Sequence, residues 1–162
     1  LRAERHPQLT LWQESGGMVE GAWQAFLDQF TADSRGVGFA VLGGAFGEGI
    51  DLPGARLIGA FIATLGLAQL NPVNEQLKRR MAAIFGAGYD YTYLYPGVQK
   101  VVQAAGRVIR TREDRGVVML IDDRFAESRI QQLLPRWWAI KNEAPASQFA
   151  GLPHTSVHDN GW

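Results

Sequence analysis

The chain has 162 residues, 46% of them hydrophobic, enough for one domain whose core buries roughly two-thirds of the surface an unfolded chain exposes. Sixteen Lys plus Arg balance sixteen Asp plus Glu, which excludes a global positive field for nucleic acid or an anionic membrane, so any such contact must be local. The absence of cysteine excludes disulfides, thiolate catalysis, zinc–cysteine sites and iron-sulfur ligation within this chain, and it fits a cytoplasmic location.

Residues 9–13 (LTLWQ) form a β-compatible run, and Ser15-Gly16-Gly17 turns the chain into an amphipathic helix over 18–30. There Met18, Ala22, Phe26 and Phe30 recur every fourth residue, with Trp23 and Leu27 beside them. The apolar run 37–42, bounded by Gly36 and Gly43-Gly44, predicts a buried parallel strand, and a glycine-rich loop over 43–54 follows it. A second buried strand is expected within 57–65. After the Asn71-Pro72 turn, residues 73–85 predict a helix that stops at Gly86 and Gly88. Its Lys78-Arg79-Arg80 cluster reads as a solvated face.

Residues 89–95 (YDYTYLY) read as an aromatic connector. Pro96 then suits the first turn of a helix running to about Arg110. A strand over 117–121 and a last helix over 125–134 complete the order, with Trp137-Trp138 as a packing pair at its end. Strands alternating with helices predict an α/β fold with a mostly parallel sheet covered on both faces. The stretch 144–162 is rich in Pro, Gly, Ser, Asn and His without periodicity, and is expected to be a loosely ordered tail. Its His154 and His158 lack the companions of a metal site, and none is expected. No apolar run reaches the ~20 residues of a membrane span, and the opening residues lack the regions of a signal peptide. A chain that starts at Leu1 is expected to be a piece of a longer polypeptide.

At about 100° per residue, Gln103, Arg107 and Arg110 fall within about 60° of one another on a continuous helix, with Lys100 at the edge of their stripe. Val98, Val101, Val102, Ala105, Val108 and Ile109 would occupy the other side. Two guanidiniums and an amide suit polyphosphate oxygens, because the guanidinium fork matches phosphate and stays charged. Periodicity alone favours the plainer reading, a solvated face pairing with acids such as Glu113 and Asp114.

The loop Gly43-Gly44-Ala45-Phe46-Gly47-Glu48-Gly49-Ile50-Asp51-Leu52-Pro53-Gly54 is too glycine-dense for a neutral connector. It is not a phosphate-binding P-loop, since Ile50-Asp51 stands where Lys and Ser or Thr are required, and it is a poor match to a dinucleotide fingerprint.

The string Gln103-Ala104-Ala105-Gly106-Arg107-Val108-Ile109-Arg110 resembles motif VI, QxxGRxxR, of superfamily-two DNA helicases. The glycine-rich loop resembles motif V, GGxFxEGIDxPG, of the XPD and DinG branch. Downstream, Asp114, Gly116 and the Asp122-Asp123-Arg124-Phe125 run resemble the pattern that closes the same lobe, with the acid paired to Arg124 structural rather than metal-binding. The resemblance covers about 9–134, and the strand that should open such a lobe is not visible.

Several expectations follow from the resemblance. The fold is a three-layer RecA-like lobe over 1–138, with the tail over 139–162. Arg107 and Arg110 act as arginine fingers, and Gln103, Glu48, Gly49 and Asp51 lie on the nucleotide side. Gly44, Phe46 and Lys100 face nucleic acid. The cofactor is ATP with Mg2+, bound chiefly by a first RecA-like lobe of the same polypeptide, which together with single-stranded DNA is the expected partner; no membrane partner is expected. An iron-sulfur cluster would lie elsewhere in the full chain. The alternatives are a duplex-DNA translocase or remodelling ATPase lobe, and a non-catalytic protein-interaction module of the same fold.

Overall fold

The computed structural model describes residues 9–14, 18–44, 52–110 and 114–141. Two parallel strand pairs carry the backbone, β1 (Thr10–Gln13) beside β2 (Gly36–Phe39), and β3 (Gly59–Ile62) beside β4 (Val117–Leu120). The registers run Thr10 opposite Gly36 to Gln13 opposite Phe39, and Gly59 opposite Val117 to Ile62 opposite Leu120. Parallel neighbours need crossover connections, and helices supply them. Helix α1 (Glu20–Leu27) links β1 to β2, while α2 (Pro72–Phe85) and α3 (Tyr95–Ala105) lie between β3 and β4. The short helix α4 (Ser128–Gln131) follows a 3-10 turn at Asp123–Ala126. This is the α/β class expected of a RecA-like lobe.

Two apolar clusters hold these elements. Around β1 and β2, Phe26, Phe30 and Leu52 are buried, with Trp12, Met18, Trp23, Leu27 and Leu57 packed on them. The Trp12 and Phe30 rings stand 5.2 Å apart and the Phe26 and Phe30 rings meet edge-on at 5.4 Å, arrangements that suit the aromatic quadrupole. Glycine makes the room: a methyl group at Gly36 would stand 2.5 Å from Trp12 Cη2, and one at Gly38 2.4 Å from Phe30 Cζ. Arg56 donates through Nε to the Phe30 carbonyl at 2.6 Å, supplying a cation where the chain leaves α1.

The larger cluster joins Ile62 and Leu65 after β3 to Leu94, Val98, Val101 and Ala105 along α3, and to Phe125, Ile130 and Leu134. Val98, Val101 and Ala105 follow the i, i+3, i+7 spacing of one helix face. A methyl group at Gly97 would stand 2.6 Å from the Leu65 carbonyl oxygen, so only glycine lets α3 lie this close to the end of β3.

The best-read element is α2. Asn71 caps it by accepting the Asn74 N–H at 2.8 Å, Pro72 opens its first turn, and Gly86 closes it at φ 71°. Its Arg79 and Arg80 are solvated, whereas Lys78 is half-buried in an ion pair with Glu75.

Four expectations need correction. The 89–95 stretch is no connector: Asp90–Leu94 forms a π-helical turn that runs into α3, with Thr92, Tyr93 and Leu94 buried. Tyr93 holds it by donating its hydroxyl to Glu75 Oε1 at 2.8 Å. Helix α3 ends at Ala105 rather than near Arg110. The strands are less buried than their composition implies, because each pairs on one side only, and Val41 and Phe61 stand 60% and 67% exposed. The last helix breaks into the 3-10 turn and α4, with Trp138 packed on the core and Trp137 exposed.

Candidate nucleotide-facing site at the end of α3

The carboxyl end of α3 unwinds through a tightened turn. Gly106 donates to the Val102 carbonyl at 2.9 Å, after which Arg107 and Val108 donate three residues back, to Ala104 and Ala105, each at 3.1 Å. Such i to i+3 bonds satisfy the last carbonyls of a helix while changing its pitch. Gln103 therefore stands exposed on the helix, Arg107 half-buried on the turn, and Arg110 exposed beyond it. The even helical stripe that spacing predicts is replaced by a helix, a turn and an extended exit.

Val108 fixes that exit. It is 3% exposed, and a methyl group at Gly116 would stand 2.3 Å from its Cγ1, so the chain entering β4 closes directly over it. Arg110 follows, its backbone N–H donating to Asp114 Oδ2 at 3.0 Å. The acid expected to pair with a solvated arginine instead holds the arginine's backbone. Glu113 lies outside the described residues.

The beginning of the glycine-rich loop lies against the same helix. Gly44 donates to the Val41 carbonyl at 2.9 Å, closing a four-residue turn, and Gly43 within it adopts φ 80°, a left-handed conformation that favours glycine. Lys100 reaches across from α3, so that a methyl group at Gly43 would stand 2.8 Å from its Cδ and 3.3 Å from its Nζ. The structure thus joins two regions singled out for different reasons, Gly43-Gly44 and the helix that carries Gln103. Phe46, Glu48, Gly49 and Asp51 lie outside the described residues, as do His154 and His158.

Sequence reasoning missed Glu14. Its Oε2 accepts the Val41 N–H at 2.8 Å, which ties the glycine turn to the end of β1. The available signal was its place just past the carboxyl end of a parallel strand, where such sheets build their sites.

The Asp122–Arg124 pair forms as expected. Arg124 donates through Nε at 2.8 Å and Nη2 at 2.6 Å to the two carboxylate oxygens, and its backbone N–H reaches Oδ1 at 3.0 Å. The guanidinium hydrogen bonds hold the Asp122 carboxyl below the usual carboxylate range and raise Arg124 in turn. Asp122 is thereby committed to its neighbour. Among the described residues, no group of three His, Cys, Asp or Glu side chains could hold a metal ion, and no helix is long and apolar enough to cross a membrane.

In chemical terms, the end of α3 offers an amide and two guanidiniums beside a buried, rigid back, a donor-rich surface suited to an anion. Comparison with known proteins points the same way. The model of a helicase C-terminal domain matches residues 2–141. The chain is 29% identical over 130 residues to the ATP-dependent DNA helicase chl-1 of Caenorhabditis elegans, covering 78% of this chain and 15% of that protein. It is 29% identical over 121 residues to the ATP-dependent helicase DinG of Mycobacterium tuberculosis, covering 72% of this chain and 18% of that protein. Against the regulator of telomere elongation helicase 1 of Bos taurus it is 33% identical over 167 residues, covering 96% of this chain and 13% of that protein. The chain therefore spans less than a fifth of the length of these relatives.

Proposed function

Given that the chain belongs to the helicase C-terminal domain family, we propose that it is the second motor lobe of an ATP-dependent DNA helicase of the XPD and DinG branch. The lobe extends over 1–138, a limit supported by Trp138 packing on the core, with a tail beyond. In the intact protein it completes a cleft whose other wall, a first RecA-like lobe, holds ATP and Mg2+. The observation that carries this reading is the end of α3, where Gln103, Arg107 and Arg110 follow a rigid helix and Lys100 of that helix lies over Gly43.

Each residue has a role in this reading. Gln103 donates its amide to a terminal phosphate oxygen. Arg107 and Arg110 supply fixed positive charge where negative charge develops on the transferring phosphoryl group, the largest contribution a protein makes to such a reaction. Half-burial of Arg107 strengthens that field relative to a solvated cation. The donor-rich end of α3 fits phosphate oxygens better than a divalent ion, so Mg2+ belongs to the other wall. Glu48, Gly49 and Asp51 are assigned to the nucleotide side, and Gly44, Phe46 and Lys100 to a backbone of single-stranded DNA. An iron-sulfur cluster, if the full polypeptide holds one, is ligated outside this cysteine-free chain.

The test uses the intact polypeptide. ATP turnover should be stimulated by single-stranded DNA, and the protein should displace the shorter strand of a tailed duplex. Turnover stimulated only by blunt duplex DNA, without strand displacement, would identify a translocase instead. Absence of turnover under both conditions would leave a non-catalytic module.

A further inference from the structure

The turn that opens the glycine-rich segment is anchored at each of its four residues, and the anchors come from different parts of the fold. The Val41 N–H is bound by Glu14, just past β1. Leu42 packs on the larger core, and a methyl group at Gly66 after β3 would stand 2.9 Å from its Cδ2. Gly43 lies beneath the stem of Lys100 from α3. A methyl group at Gly44 would stand 3.2 Å from Glu14 Oε1 and 3.1 Å from the Val41 carbonyl oxygen. One carboxylate thus holds one side of the turn while a lysine stem lies across the other.

Glu14 has no local reason to point there. It lies 27 residues from Val41 in the chain, and the backbone ladder that continues past β1 already binds its own N–H to the Phe39 carbonyl at 2.8 Å. Its side chain adds a charge-assisted bond to a backbone N–H beyond the last paired residue of β2, where the ladder has ended. Lys100 likewise lies three residues before Gln103, on the helix whose end carries Arg107. Its stem is the direct contact between that helix and Gly43.

Resting on the functional reading above, we propose that Glu14 and Lys100 are positioning residues that clamp the glycine turn to β1 and to α3. The glycine-rich segment and the Gln103–Arg107 end of α3 then shift together. Neither side chain needs to touch the reacting phosphate. Their effect lies in coupling, so that DNA engaged by the glycine segment changes the placement of the arginines.

The experiment compares ATP turnover of the intact protein with and without oligothymidylate, alongside thermal unfolding. In Glu14→Ala the ratio of stimulated to unstimulated turnover should fall at least about tenfold, the range expected from losing one charge-assisted bond. In Glu14→Gln, whose amide oxygen can still accept the Val41 N–H, the ratio should stay within about threefold of wild type. Lys100→Met keeps a stem over Gly43 and should retain most of the ratio, whereas Lys100→Ala should lose it. The lysine pair keeps the test valid if Glu14→Ala does not fold. A lowered Tm with an unchanged ratio would overturn the clamp and leave Glu14 merely structural. Equal loss in Lys100→Met and Lys100→Ala would also overturn it, since the charge rather than the stem would then matter. A wild-type protein without DNA-stimulated turnover sinks the functional reading itself; stimulation that persists in Glu14→Ala and Lys100→Ala sinks only the clamp.

Discussion

The two ends of α3 are built on opposite terms. At its beginning the π-helical turn buries Tyr93 and Leu94, and Gly97 lies against the backbone of Leu65, so every group there is committed to the fold. At its other end the helix tightens, stops at Ala105 and leaves Gln103 and Arg110 exposed around one buried plug, Val108. The difference shows how one helix serves two purposes. Packing is concentrated where it fixes direction, and polar groups gather where the last turn has freed them from packing. Substitutions at the first end should lower stability, and those at the second should lower chemistry with stability largely kept.

The largest expected effect is at the exposed end. Arg107→Ala in the intact protein should lower kcat by about a thousandfold or more, with Tm close to wild type. A fall in Tm of many degrees would erase the contrast between the two ends. At the buried end, Leu94→Ala should cost about 2–5 kcal/mol in chemical denaturation, the range for large-to-small changes in a core. Gly97→Ala should cost about 1–3 kcal/mol, because its methyl group would meet backbone that cannot swing aside. A neutral result there would mean that α3 can slide on β3. Further away, Asn71→Ala should cost about 1 kcal/mol by freeing the Asn74 N–H, as read from urea midpoints.

The smallest effect is in acid. The folded-state value of Asp122 is depressed by its Arg124 hydrogen bonds. The stability it contributes is therefore present above the unfolded value, about 3.9, and is lost as pH falls through the lower folded value. Asp122→Asn should flatten the acid limb of a Tm-against-pH curve below about pH 4 and leave neutral pH chiefly with the loss of one partly exposed pair. A steeper acid limb in the variant would reverse that sign.

Legibility in the sequence followed the range of the interactions involved. Helix α2 was readable at both ends because Asn71, Pro72 and Gly86 act within a few residues of the bonds they set. The strand-and-helix alternation was readable because each element carries its own apolar pattern. The π-helical turn was not, since four tyrosines between 89 and 95 look β-compatible in isolation, and burial against α2 and the core decides the matter. Nor was the early stop of α3. Gly106 reads as part of an unbroken motif, yet Val108 must enter the core beside Gly116, and an uninterrupted helix would place it elsewhere. Wording identified the motor motifs where periodicity favoured a solvated face. Glu14 stayed hidden because its partner lies 27 residues away, across a strand pairing.

The most direct test of the central claim, that this lobe supplies arginines to a nucleotide held elsewhere, measures turnover and nucleotide affinity together in the intact protein. Arg107→Ala and Arg110→Ala should each reduce ATP hydrolysis by orders of magnitude while the Kd for a non-hydrolysable ATP analogue stays within a few-fold of wild type, and Arg107→Lys should recover little, because an ammonium lacks the guanidinium fork. Wild-type turnover in both alanine variants would contradict the account.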